Sequence, residues 1–299
     1  LLNQGISVFG LLRNIDSKVT GLEYLKIRNQ ISFLPINLTN KKEVCSLIKD
    51  IKPDYFFNLA AQSSVAESFK HPDSTILFNL HSTLNILECI RSYNPDTRFY
   101  QATSSEMFGS VATLPISEDA LLHPQSPYAI SKAACHHLVR NYRESYGIHA
   151  SSGILFNHES VLRGENFFIM KIIKSALDIK NKKKDTLRLG NIEIKRDFGH
   201  APRYVDAMIL MVEQDSPDDY IISSGQSILL KSIVYHIFDY LGIDKTAIQI
   251  DQSLFRPSEI NDIYGDNSKA KNILKWNYNL SFYKVIEGII EEYETKIYA

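Results

Sequence analysis

Apolar residues in the first half of the chain follow two alternating patterns. Continuous apolar runs of strand length occupy residues 6–12, 54–61, 98–103 and 152–156, and a shorter run ends at residue 36. Apolar residues at helical spacing separate these runs, in stretches that begin behind a capping hydroxyl at Thr39, pass through Leu84 and cover residues 126–146. Such alternation is typical of a parallel, doubly wound α/β sheet with right-handed crossovers.

The second half of the chain is less regular. One helix is predicted over residues 167–179, and glycine and proline break the elements that follow it. No linker or repeat separates the halves, so two domains packed around a shared cleft are expected. We predict a first domain over residues 1–156 and a smaller, mixed domain over residues 157–299, with segments near 192–215 returning to the first.

Composition and charge limit the choice of partners. The chain has 299 residues, 44% of them hydrophobic, which is enough for a large core. Its formal net charge of -1 favours neither nucleic acid nor an anionic membrane as a partner. The basic run KNKKK at residues 180–184 is interpreted as a solvated loop rather than a phosphate or nucleic-acid site, because no aromatic residues interleave it. No apolar run approaches the roughly 20 residues that a membrane span needs.

Cysteine and histidine usage predicts neither a disulfide nor a metal site. Cys45, Cys89 and Cys135 are few and unevenly spaced, so we expect reduced thiols and a cytoplasmic protein. None of the nine histidines combines with Cys, Asp or Glu at a metal-ligand spacing, so no metal is expected.

Tyr128 and Lys132 in SPYAISK form the sharpest local signal. Pro127 can open a helix, and the i, i+4 spacing then puts phenol and ammonium on one face. A neighbouring cation favours phenolate, so we expect Lys132 to lower the pKa of Tyr128 and let it take a proton from a hydroxyl group. By spacing alone, such a pair is more often an ordinary helix surface.

A second polar cluster, Thr103 to Glu106, follows the predicted strand at residues 98–103. Open α/β sheets place their ligands at the carboxyl ends of strands, so a hydroxyl and a carboxylate should meet Tyr128 there. Without Tyr128, a capped turn would be the preferred interpretation of Ser104, Ser105 and Glu106.

With these motifs the chain resembles the GDP-mannose 4,6-dehydratase family of the extended short-chain dehydrogenase/reductase superfamily. The similarity covers nearly the whole chain, and its most specific pieces are SSEMFG, SPYAISKAA, FNHES, LGNIEIKRDFGHA and RPSEINDIYGD. The resemblance implies a Rossmann-like NADP-binding first domain, a nucleotide-sugar-binding second domain, and a homo-oligomer, dimer or tetramer. It further implies a hydro-lyase that converts GDP-mannose to GDP-4-keto-6-deoxymannose, feeding deoxyhexose synthesis such as that of GDP-fucose.

The resemblance also implies residue roles. Ser104 would hydrogen-bond the sugar 4-oxygen, Tyr128 would be the catalytic base, Lys132 its partner and ribose anchor, and Glu106 the acid and base at C5 and C6. Arg13 would receive the 2′-phosphate of NADP, although alone it is a plain surface arginine. The implied cofactor-binding residues are Arg13, Asn37, Leu38, Leu59, Ala60, Ala61, Ser63, Tyr128, Lys132, His158 and Arg163.

For the nucleotide end of the substrate, the resemblance implies side chains that would hold the diphosphate or ribose. Without the resemblance, surface salt bridges explain these residues about as well. The implied substrate-binding residues are Ser105, Asn157, Lys171, Arg196, Arg256 and Glu259.

The start of the chain and the intact catalytic set bear on the alternatives. The family begins with a strand and a Gly-rich turn that cradles the cofactor pyrophosphate. LLNQG is interpreted as the end of the helix that this turn would open, which predicts an N-terminally truncated sequence. A sibling epimerase or 4-keto-sugar reductase would need Ser104, Tyr128 and Lys132 but not Glu106. A non-catalytic relative that has lost cofactor binding is the other alternative.

Overall fold

Strands and helices alternate through the chain and become shorter in its second half. The computed structural model describes residues 1–14, 19–256 and 258–298, and only the backbone of residues 296–298. The strands are β1 (Val8–Leu12), β2 (Ile31–Pro35), β3 (Tyr55–Asn58), β4 (Arg98–Ser104), β5 (Ala150–Leu155), β6 (Asn157–Glu159), β7 (Leu187–Leu189), β8 (Lys195–His200), β9 (Asp219–Ile222), β10 (Ser227–Leu229) and β11 (Ile248–Ile250). The helices are α1 (Thr20–Tyr24), α2 (Lys41–Ile51), α3 (Val65–Lys70), α4 (Pro72–Tyr93), α5 (Pro127–Tyr146), α6 (Phe168–Lys180), α7 (Ala201–Val212), α8 (Leu230–Leu241), α9 (Ser268–Ile273) and α10 (Phe282–Tyr298).

Parallel strands form the centre of the first half, as the sequence predicts. β3, β4, β5 and β9 pair side by side in that order, and all three pairings are parallel. β1 and β2 form a separate parallel pair, which is not hydrogen-bonded to the four-stranded sheet within the described residues. The predicted α/β class is therefore confirmed.

Helices cover both faces of the four-stranded sheet. Neighbouring residues of a strand point to opposite faces. Phe99 of β4 packs in a cluster with apolar residues of α2, α4 and α5. Tyr100, the next residue, packs instead with Tyr204 and Met208 of α7. This arrangement is a doubly wound sheet, and the carboxyl ends of its parallel strands lie along one edge.

Most predicted elements of the first half are confirmed, with boundaries shifted by a few residues. The helix end predicted ahead of Gly5 is a single 3₁₀ turn, and Gly5 has a φ of 73°. The capping hydroxyl predicted at Thr39 is wrong. The Asn40 side chain caps α2 by accepting a hydrogen bond from the Lys42 amide at 3.1 Å, because the Thr39 hydroxyl donates instead to the Asn37 side chain at 2.7 Å.

The second half forms a smaller mixed unit and also contributes to the first sheet. β8 pairs with β6 in parallel and with β10 in antiparallel orientation, and β7 pairs with β11. Apolar residues of α6, α8 and α10 make one core cluster around Phe198. α7 and β9 pack with the first domain's strands. The boundary after residue 156 stays a prediction. None of the described helices is long and apolar enough to cross a membrane.

The cysteine prediction is wrong for two of the three residues. Cys45 on α2 and Cys89 on α4 form a disulfide, with 4.8 Å between their Cα atoms, and Cys135 is a buried free thiol. The two helices pack against each other, which brings together residues 44 positions apart in sequence. Spacing along the chain does not reveal this proximity.

The disulfide predicts the thiol count of the purified protein. After isolation without reductant, unfolding and alkylation, we expect mass spectrometry to find one modified cysteine, Cys135. The physical reason is that Cys45 and Cys89 are already within bonding geometry in the folded chain. Three alkylated cysteines without reduction would contradict the bond, and reduction before alkylation is the control that should give three.

Candidate active site

The predicted site residues cluster at the carboxyl ends of the parallel strands. Arg13 follows β1, Leu59 follows β3, Ser104 ends β4, and Asn157 comes two residues after β5. Because the carboxyl ends of parallel strands lie along one edge of a sheet, the residues after β3, β4 and β5 border one crevice. Arg13 follows a strand of the separate β1–β2 pair.

Ser104 and Glu106 are held by the turn that ends β4. Residues Ser105–Phe108 form a 3₁₀ turn, and the Ser104 hydroxyl accepts a hydrogen bond from the Glu106 amide at 3.3 Å. Gly109 ends the turn with a φ of 61°, and a Cβ there would lie 2.1 Å from the His123 carbonyl oxygen. Ser104 and Ser105 are buried and Glu106 is half-buried. The turn interpretation is therefore correct locally, and the same turn carries the hydroxyl and carboxylate to the crevice.

Tyr128 and Lys132 lie in the first two turns of α5. Pro127 begins the helix, and the Ser126 hydroxyl caps it by accepting a hydrogen bond from the Ala129 amide at 3.1 Å. Lys132 Nζ donates to the Ala102 carbonyl of β4 at 2.8 Å and lies 5.9 Å from the centre of the Tyr128 ring. This contact fixes the start of α5 against the end of β4.

The electrostatics of Tyr128 differ from the sequence prediction. Burial raises the pKa of Tyr128 to about 12, the Ser104 hydroxyl and Arg163 lower it, and Glu106 raises it. Burial also lowers the pKa of Lys132 to about 8. The expected lowering of the Tyr128 pKa by Lys132 is wrong in this structure, because desolvation outweighs the other influences and Lys132 is directed to a carbonyl.

The segment after β5 carries His158 and Arg163, and the charge of Arg163 reaches Tyr128. His158 Nδ1 lies 2.8 Å from the Phe156 carbonyl oxygen, and its ring stacks on Tyr204 at 4.9 Å. Burial lowers the pKa of His158 to about 4, so its imidazole is neutral at pH 7. The charge of Arg163 acts on both Tyr128 and His158. The structure thus brings these three predicted residues together.

The remaining predicted cofactor residues line the same edge with different degrees of exposure. Arg13 is exposed, and its guanidinium lies 5.2 Å from the centre of the Phe78 ring. Leu59 is 56% exposed and Ser63 is exposed, whereas Ala60 and Ala61 are half-buried.

Asn37 and Leu38 are engaged within the protein. The Asn37 side chain accepts a hydrogen bond from the Thr39 amide at 3.1 Å. The carbonyl of the buried Leu38 accepts one from Asn85 at 3.0 Å. Their predicted contact with a cofactor stays a prediction.

Arg196 links the catalytic turn to the predicted substrate residues. Its buried guanidinium donates through Nη1 to the Lys195 carbonyl at 2.8 Å and to the Ile260 carbonyl at 2.6 Å. Burial lowers the pKa of Arg196, and the charges that act on it include Glu106, Arg256 and Glu259.

The other predicted residues beside Arg196 are held mainly by backbone groups. The Arg256 amide donates to Glu259 at 3.2 Å, and the Asn157 side chain donates to the Asp197 carbonyl at 3.1 Å. Pro257, within the RPSEINDIYGD motif, lies outside the described residues.

Lys171 lines a cavity of about 320 Å³ whose other residues were missed in the sequence. Lys171 Nζ donates to the Arg188 carbonyl at 3.1 Å, and burial and the Lys184 and Arg188 charges lower its pKa. The basic run is exposed as predicted, but its last residue, Lys184, lines this cavity. The lining residues are Lys171, Lys184, Thr186, Arg188, Asp251, Ser253 and Leu254. No sequence signal joins Arg188 to Asp251, because they are 63 positions apart.

Within the part of the chain that the structure describes, no group of three or more His, Cys, Asp or Glu side chains could hold a metal ion. The candidate site contains the Tyr128 phenol, the buried amine of Lys132, the His158 imidazole, hydroxyls, two carboxylates and several guanidinium groups. These groups can move a proton and bind anions.

Comparisons with known proteins cover nearly the whole chain. The sequence profile described as GDP-mannose 4,6 dehydratase matches residues 1–289. The chain is 41% identical to GDP-mannose 4,6 dehydratase 1 of Arabidopsis thaliana, over 98% of this chain and 84% of that protein. It is 37% identical to the GDP-mannose 4,6-dehydratase of Sinorhizobium fredii, over 82% of this chain and 76% of that protein.

Solved structures show the same fold. RMD from Pseudomonas aeruginosa complexed with NADPH superposes with a TM-score of 0.83 at 22% identity, over 97% of this chain and 100% of that one. DesIV, a dTDP-glucose 4,6-dehydratase from Streptomyces venezuelae, superposes with a TM-score of 0.87 at 19% identity, over 97% of this chain and 88% of that one.

Proposed function

The chain belongs to the GDP-mannose 4,6-dehydratase family, and from this premise we propose that it is a hydro-lyase that converts GDP-mannose to GDP-4-keto-6-deoxymannose with bound NADP. The observation that carries the proposal is the meeting of Ser104, Glu106, Tyr128 and Lys132 at the carboxyl ends of the central strands. Of these, Glu106 is the residue that a dehydration needs and that an epimerase does not.

The residues along the strand ends fit NADP. The partly exposed segment Leu59–Ser63 has small side chains at Ala60, Ala61 and Ser63, so a cofactor can approach the protein backbone closely there. Arg13 offers an exposed guanidinium for a phosphate, and the buried Lys132 can reach a ribose from α5. When bound, NADP would accept the hydride from C4 of the sugar and later return it to C6. The cofactor ends as it began.

Tyr128 and Ser104 act first. Tyr128 removes the proton of the sugar 4-hydroxyl, and Ser104 holds the same oxygen by a hydrogen bond. Ser104 and Arg163 both lower the pKa of Tyr128, so they favour the phenolate that this step requires. Burial raises the pKa of Tyr128, and these two residues offset part of that rise.

Glu106 acts second. The 4-ketone acidifies C5-H, Glu106 takes that proton, and the same proton leaves with the 6-hydroxyl as water. When the hydride returns to C6, C5 takes up a proton, which balances the one that Tyr128 removed from the 4-hydroxyl. The net change is one water lost and no net oxidation or reduction. Arg196 lies near enough for its charge to interact with Glu106.

The nucleotide end of the substrate is assigned to the guanidinium and ammonium groups beyond Glu106. Arg196 and Arg256 suit a diphosphate, with Glu259, Asn157 and Ser105 beside them. Lys171 and its cavity continue this surface, because Leu254 of the cavity is two residues before Arg256. Three cationic side chains, Lys171, Lys184 and Arg188, line that cavity and support an anionic ligand there.

The proposal predicts the products of a simple assay. With NADP and GDP-mannose, we expect a product lighter by one water and no steady rise in NADPH absorbance, because the hydride returns to the sugar. Mass spectrometry and absorbance at the NADPH band measure the two results. Steady NADPH accumulation would indicate a dehydrogenase, and an isomer of unchanged mass would indicate an epimerase. UDP-glucose is the control substrate.

A homo-oligomer and a cytoplasmic location are also proposed. The packed helices α4 and α5 each expose a large apolar side chain, Leu77 at 55% and Ile130 at 46%, and covering them supports association with a second copy. Sedimentation analysis tests whether the protein is a dimer or tetramer.

The balanced charge supports a cytoplasmic location, although disulfides such as Cys45–Cys89 are unusual in the cytoplasm. Cell fractionation tests this location.

A further inference from the structure

Glu159 is a buried carboxylate that the proposed mechanism leaves unused. It ends β6, directly after His158, and is 3% exposed. Its Oε2 atom is buried and has no hydrogen-bond partner within the described residues. Buried charges of this kind are normally paired, because desolvation of an unpaired carboxylate is costly.

Arg163 is the cation nearest to this carboxylate in the ion pairs of the described residues. Its Nε lies 3.7 Å from Glu159 Oε2, and this Nε is also buried without a hydrogen-bond partner. This distance exceeds that of an ordinary N–H···O hydrogen bond, about 2.9 Å, by less than about 1 Å. The Arg163 guanidinium also lies 3.7 Å from the centre of the Phe167 ring. Two incompletely bonded groups therefore face each other beside Tyr128.

Stability does not explain the carboxylate. Burial raises the pKa of Glu159 to about 7, and Arg163 is the charge that opposes this rise. When folding raises the pKa of a group, its contribution to the free energy of unfolding is fully present below the pKa of the unfolded chain. This contribution is lost as the pH rises through the pKa of the folded chain. The charged form of Glu159 thus destabilises the fold above about pH 7, and a neutral glutamine would not.

We propose that Glu159 is a positioning residue for the dehydration, resting on the function proposed above: its carboxylate holds the Arg163 guanidinium on the Phe167 ring, from where that charge acts on Tyr128 and His158. In this position, the charge of Arg163 lowers the pKa of Tyr128. Without its anchor, the guanidinium can turn towards solvent, since its side chain is already 30% exposed.

The substitution Glu159→Gln tests the positioning role. We expect kcat to fall about tenfold or more, because breaking a buried ion pair by removing one partner is costly, while KM for GDP-mannose changes little. NADP affinity measured by calorimetry should weaken several-fold, and the kinetic pKa of the basic group should rise. Glu159→Asp should restore part of each loss. Glu165→Gln, an exposed carboxylate two residues beyond Arg163, is the matched control and should leave all of them unchanged.

Thermal unfolding separates this role from a structural one. Glu159→Gln should raise Tm at pH 8, and the gain should shrink as the pH falls through about 7 and vanish below the unfolded pKa of a glutamate. Among the described residues, His200 lies beside Glu159 at the paired position of β8, and His158 precedes it in β6. Burial lowers the pKa of both histidines, so both are neutral at pH 8. A lower Tm at pH 8 would overturn the proposal in favour of a structural role.

A double substitution completes the test. If Glu159 acts through Arg163, Glu159→Gln combined with Arg163→Gln should be no worse in kcat than Arg163→Gln alone. Losses that simply multiply, or a Glu159→Gln variant with wild-type kcat and NADP affinity, would overturn the proposal. Failure of the proposed function is distinguishable, because the wild-type protein would then give no dehydrated product.

Discussion

Tyr128→Phe is expected to abolish the first chemical step, the oxidation at C4. The substitution keeps the buried ring and removes the phenol oxygen, which is the group that takes the 4-hydroxyl proton. Loss of a general base typically costs about 10²–10⁴-fold. Folding should be preserved, because phenylalanine keeps the buried ring, which is 8% exposed in Tyr128. The cap of α5 comes from Ser126, which the substitution leaves unchanged.

Single-turnover absorbance measures this step. When an excess of the Tyr128→Phe variant is mixed with NADP and GDP-mannose, no transient NADPH band should appear, and no dehydrated product should follow. Tyr146→Phe, which removes an exposed phenol from the far end of the same helix, is the control and should react like the wild type. A normal transient in Tyr128→Phe would assign the proton transfer to another group.

The placement of the proposed catalytic residues was predictable because it depends on local chain geometry. Tyr128 and Lys132 share a helix face through their spacing, and Ser104 and Glu106 share one turn at the end of β4. Sequence alone specifies both relations. The parallel sheet then brings the two segments together, since it places all strand ends on one edge.

Properties that depend on distant contacts were not predictable. The Cys45–Cys89 bond requires α2 to pack on α4, which spacing does not show. The pKa of Tyr128 depends on how deeply the start of α5 is buried, so the expected effect of Lys132 was overridden. The cavity beside Lys171 joins loops far apart in the chain, and only the folded structure shows which cations it gathers.

Glu106→Gln is expected to stop the reaction at a later step than Tyr128→Phe. Glutamine keeps the size and hydrogen bonding of glutamate but cannot accept the C5 proton. Oxidation at C4 does not need this carboxylate, so enzyme-bound NADPH and 4-keto sugar should still form. Dehydration should fall by about a hundredfold or more, the usual scale for losing a general base. The turn should be unchanged, because the Glu106 amide, not its side chain, bonds Ser104.

Exchange of the C5 hydrogen in deuterated water identifies the step that fails in Glu106→Gln. The variant should show transient NADPH without C5 exchange, whereas the wild type should show both exchange and water loss. Glu144→Gln, which removes an exposed carboxylate near the far end of α5, should behave as the wild type. If Glu106→Gln kept near-normal exchange and dehydration, Glu106 would be a turn residue only, and the deprotonation at C5 would have to come from another base within the crevice. Because Tyr128→Phe and Glu106→Gln are expected to fail before and after NADPH formation, the pair of variants orders the two proton transfers.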